Sequence, residues 1–61
     1  MSNAAIQRGV RILIMTDEMH SIIDHIYEAL VDEEYNVASE DVKYLIRELK
    51  KMQKLIDDND F

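Results

Sequence analysis

Val10-Arg11-Ile12-Leu13-Ile14-Met15, opened by Gly9 and closed by Thr16, is the stretch that decides the fold. Its β-branched character suits a strand, and Thr16 would then serve as the N-cap of a following helix. Its spacing also suits a helix, which would align Ile6, Val10, Leu13 and Ile14 on one face. A lone strand would have to pair with another chain. We therefore prefer the helical reading, which makes the chain all-α; the strand reading makes it β-α-α. A continuous helix from Asn3 to Glu34 would change its buried face near Thr16, because the Ile6–Ile14 stripe lies almost opposite the next one.

Beyond Thr16 the periodicity is helical. Met15, Met19, Ile22, Ile26 and Leu30 form one stripe, widened by Ile23, Tyr27 and Val31, and predict a helix over about 17–34. Val42, Leu45, Leu49, Met52 and Ile56 follow the 3-4-3-4 spacing of a heptad seam, widened by Ile46 and Leu55, and predict a helix over about 40–56. Ser39 is its expected N-cap, with Glu40 and Asp41 on the favourable side of the helix dipole. Tyr35-Asn36-Val37-Ala38 is read as the connection, with Asn36 as the left-handed residue that ends the first helix. So short a link between two helices makes an antiparallel hairpin, with 3–15 as a helical N-terminal extension.

The chain has 61 residues, enough for one small domain spanning 1–61. A lone core of that size supplies no more than about 3–5 kcal/mol. Disulfides and thiolate metal sites are excluded, since there is no cysteine. A hydrophobic content of 48% is too high for a disordered chain. With no proline and one glycine, a many-turned β fold is disfavoured. No apolar run approaches the roughly 20 residues of a membrane span. The expectation is a soluble cytoplasmic protein without a membrane association. Two helices cannot cover all the apolar positions above, so the stripe residues double as a candidate interface. A homodimer closing a four-helix-type bundle is the simplest solution.

The net charge of −6 is strongly segregated. Residues 17–41 hold nine acids and no Lys or Arg. Among them Asp17, Asp24, Glu28, Asp32, Glu33 and Glu34 form the candidate acidic surface. Lys43, Arg47, Lys50 and Lys54 recur at 4-3-4 spacing and form a basic stripe. A net acidic chain is repelled by nucleic acid unless such a patch prevails, so nucleic acid is a disfavoured partner. Exposed charge pairs contribute only about 0–1 kcal/mol each, so the pattern by itself is a pair of solvated faces.

Chemistry has little footing. Asp17, His20 and Asp24 share a helix face at metal-ligand spacing, and Asp17-Glu18-Met19-His20 approaches a Glu-x-x-His motif. However, Asp stands in place of Glu, and the face points away from the apolar stripe, so no metal or other cofactor is expected. His25, on the same side as Glu18, is read as a boundary histidine. Ser2, Ser21 and Ser39 lack a base and an orienting group, and no Gly-rich phosphate loop exists. Four methionines, with Met15, Met19 and Met52 at apolar positions, suit an adaptable surface as well as a core. An enzyme is not expected.

The leading expectation is a non-enzymatic protein that acts by binding another protein, as an inhibitor, adaptor or accessory subunit. Small acidic helical proteins of this sort include viral and mobile-element products that neutralise host enzymes, and nine clustered acids can imitate the phosphate line of nucleic acid. A self-assembling subunit is a further alternative. With 10–15 as a strand, the order strand, helix, helix from Val10 to about Ile56 resembles the ribbon-helix-helix family. That resemblance implies a dimer placing a two-stranded ribbon in the DNA major groove. It would leave Arg11, with Gln7 and Arg8 at the edge, to read bases. The family's polar strand face is replaced here by Val10, Ile12 and Ile14, and the middle helix is too long.

Overall fold

The computed structural model describes residues 3–61 and contains two helices, α1 (Asn3–Val31) and α2 (Tyr35–Asp57). Among the described residues there is no strand. The strand alternative is overturned: residues 10–15 are helical, so the ribbon required by the family resemblance does not form. Helix propagation adds one hydrogen bond per residue fixed, whereas a lone strand finds no ladder partner. Thr16 does not cap a helix. Its hydroxyl donates back to the carbonyls of Leu13 (3.1 Å) and Ile12 (3.0 Å), as a threonine inside a helix does.

The chain reverses over 32–34, earlier than the sequence suggested. Glu33, at φ 59°, is the left-handed residue, and Asn36 lies inside α2. The Glu34 amide donates to the Ala29 carbonyl (2.8 Å) and the Glu33 amide to that of Leu30 (3.2 Å). This is the paired closure that satisfies the carbonyls ending a helix. The same arrangement ends α2 at Asn59, φ 54°, with Asp60 donating to Leu55 and Asn59 to Ile56. Glu34 occupies the N-cap of α2 without a side-chain capping bond, and Ser39 sits within the helix rather than at its start.

The helices meet along a seam with alternating steps of three and four residues. From α1 come Met15, Met19, Ile22, Ile26 and Ala29; from α2 come Ala38, Asp41, Leu45, Glu48, Met52 and Leu55. The expected α2 seam is rotated by about 50°. Leu45 and Met52 remain in it, but Val42, Leu49 and Ile56 are left 41–55% exposed. Ala29 replaces Leu30, which is half exposed, because two small residues, Ala29 and Ala38, let the helices approach beside the short turn. Ile23, Tyr27 and Val31, expected to widen the α1 stripe, are also exposed.

Only Met19, Ala29 and Ala38 are buried among the described residues. The backbone measures 47 × 20 × 9 Å. That thickness is a single helix, so the hairpin is one layer, and a layer encloses no core.

Candidate interaction surface

Helix geometry, at about 100° per residue, sorts the remaining side chains onto two broad faces and two long edges. The antiparallel arrangement brings the flank of α1 holding Ile12, Ile23 and Leu30 to the same side as the flank of α2 holding Val42, Leu49 and Ile56. All six are at least 39% exposed. Ile46 borders this apolar face and is 46% exposed.

The opposite broad face is polar and is where the helices exchange hydrogen bonds. His25 Nδ1 meets Asp41 Oδ2, and the Tyr44 hydroxyl donates to Glu18 at 2.9 Å. Lys51 donates to Glu48 at 3.1 Å, which neutralises an acid set at the seam. The bond to Asp41 and that carboxylate's charge raise the His25 pKa, with Glu28 and Glu34 adding to the effect against slight desolvation. Tyr44 is raised chiefly because its proton is held by the Glu18 carboxylate. His25 was read as a histidine without a role. Its partner becomes legible only once the turn is placed at 32–34, which brings residues 25 and 41 to one level.

The two long edges carry opposite charge. Asp17 and Asp24 lie on the outer edge of α1, with Glu28 and Asp32 toward the polar side; Glu33 and Glu34 form the turn. Lys43 and Lys50 lie on the outer edge of α2, flanked by Arg47 and Lys54 on the polar side. Arg47 stacks over the Tyr44 ring, 5.7 Å from its centroid. All of these residues are exposed.

The first third of α1 is set apart. Ile6, Val10, Leu13 and Ile14 are 51–59% exposed and point away from α2, so the apolar stripe changes face near Thr16, but its N-terminal part is not buried. Arg11 is not free to read bases: its guanidinium donates to the Asp60 carbonyl at 2.8 Å and ties the C-terminal turn to α1. Phe61 closes a shallow depression against Ala4, Gln7 and the two arginines, Arg8 and Arg11.

Asp17, His20 and Asp24 stay on the exposed edge, and no group of three metal-ligating side chains occurs among the described residues. Ser21 and Ser39 are exposed on their helices, while Ser2 lies outside the described residues. Among the described residues no helix is long and apolar enough to cross a membrane. The chain matches no known protein family, no characterised protein and no solved structure with which it was compared.

Proposed function

We propose that the chain is a non-enzymatic helical protein that acts by binding another protein, as an inhibitor, adaptor or accessory subunit. One observation carries this reading. Among the described residues three are buried, whereas sixteen large apolar or aromatic side chains are at least 37% exposed, and extended exposed apolar surface marks interaction sites. The outward stripe Ile6, Val10, Leu13 and Ile14 is the surface assigned to the partner, because α2 faces the other way along its whole length. The acidic edge and turn suit a basic cleft on that partner, as in a viral or mobile-element inhibitor that mimics phosphate charge. The reading places the protein in the cytoplasm, the host's if it is viral.

The test is affinity capture from nuclease-treated lysate with the unaltered chain and with a Val10→Asp/Leu13→Asp variant, followed by reconstitution with the purified partner. A stoichiometric complex formed by the first and lost with the second is expected. No stoichiometric protein, or one held equally by both, overturns the assignment. If the acidic edge engages the partner, raising salt weakens the reconstituted complex; indifference to salt removes the mimicry.

A further inference from the structure

We infer that the apolar broad face is covered by a second copy of this chain, related by a two-fold axis parallel to the helices, so that α1 of each copy lies over α2 of the other. The inference rests on the association reading above but concerns a different face from the N-terminal stripe, so loss of the dimer and loss of the partner are measured separately.

The occupant follows from area. A compact monomer of 7.2 kDa exposes about 4,100 Å² by the usual size scaling. This chain exposes 4962 Å². The excess of about 800 Å² equals the share that one partner contributes to a standard stable interface. A second layer, identical to the first, removes that excess and gives each apolar flank an apolar counterpart.

The direction of the axis follows from charge. Two single-layer hairpins can stack face to face through a two-fold axis either along the helices or across them. An axis across the helices puts α1 over α1 and α2 over α2, setting acidic edge on acidic edge and basic on basic. An axis along the helices puts the acidic edge of α1 over the basic edge of α2 on both sides. Rotation about such an axis leaves heights unchanged, so the levels match as they do within one hairpin. There His25 meets Asp41, which means that residue numbers at one level sum to about 66. Asp24 then stands level, within one residue, with Lys43 of the other copy, and Asp17 with Lys50. Like charges stacked at these positions would disfavour the crossed arrangement.

The chain has no cysteine, so Asp32→Cys at the exposed turn provides a single spin-labelling site. Sedimentation establishes whether a dimer forms, and pulsed electron–electron resonance measures the distance between labels. With the axis along the helices both turns lie at one end; helices 8–10 Å apart then give a label separation below about 30 Å. With the axis across them the turns lie at opposite ends of a 47 Å molecule, and the labels separate by roughly its length. A dimer with the short distance is the expected result. A monomer at all accessible concentrations, or a dimer with the long distance, overturns the inference. As a second measurement, Lys43→Glu/Lys50→Glu weakens the dimer about tenfold or more at low salt, and adding Asp17→Lys/Asp24→Lys restores it. Failure of that restoration also counts against the axis.

Discussion

Replacing Leu49 by Asp tests the apolar face directly. The sequence pattern places Leu49 in the seam between the helices, where an aspartate would break the hairpin itself. The structure instead leaves Leu49 48% exposed. Full burial of a leucine side chain is worth about 1.5–3 kcal/mol, so the hairpin forfeits about 1 kcal/mol and the covering layer a similar amount. A polar group enclosed without a partner adds about 1–3 kcal/mol at the interface. The two-fold axis counts the interface loss twice, giving about 6 kcal/mol, or roughly a ten-thousand-fold rise in the dimer dissociation constant. Sedimentation velocity from micromolar to millimolar protein is the assay, with Lys54→Ala on the outer charged side as a control that keeps both helicity and association. A Leu49→Asp chain that still sediments as a dimer refutes the placement of the interface.

Met19→Ala removes the largest side chain among the three buried residues and lowers unfolding free energy by about 2–3 kcal/mol, measured by urea titration; a loss below about 0.5 kcal/mol would show that the seam contributes little. Gly9→Ala meets nothing within 4 Å of the added carbon and stabilises the start of α1 by up to about 1 kcal/mol, seen as a higher melting temperature; a lower one contradicts a helix through residue 9. The His25 imidazole, followed by NMR, titrates above its ordinary value of 6.5 and returns toward it in Asp41→Asn. Because folding raises this pKa, the pair's stabilisation is fully present below pH 6.5 and is lost as pH rises through the folded value. An identical titration in both proteins would show that the two side chains do not meet.

The two helices and their antiparallel course were legible because periodicity records which residues share a face. The register was not. The connection was expected at 35–38 and is found at 32–34. Moving a turn by about three and a half residues slides one helix past the other by about one heptad, and a heptad pattern looks the same after such a slide. The small size of Ala29 and Ala38 was the available signal, since close approach next to a short turn needs small residues. Glu33 gave none: glutamate is an unusual choice for a left-handed position. The rotated seam escaped notice for a different reason. Asp41 and Glu48 look like surface residues until Asp41 is seen to hydrogen-bond with His25 and Glu48 to pair with Lys51. The change of face near Thr16 was legible too, since Ile6, Val10, Leu13 and Ile14 fall about half a turn from the Met15–Ala29 seam.

The turn at Asp32-Glu33-Glu34 contains neither glycine nor proline, and glutamate is among the better helix formers. Nothing in its covalent chemistry compels the chain to reverse; contacts across the seam do so, against the cost of a left-handed glutamate. If the turn straightens, α1 and α2 merge into one rod of about 80 Å. Two such rods lying antiparallel regain the seam contacts between chains, with no residue left in the left-handed region. Exchange of α2 between copies therefore sacrifices no seam contact and depends chiefly on concentration.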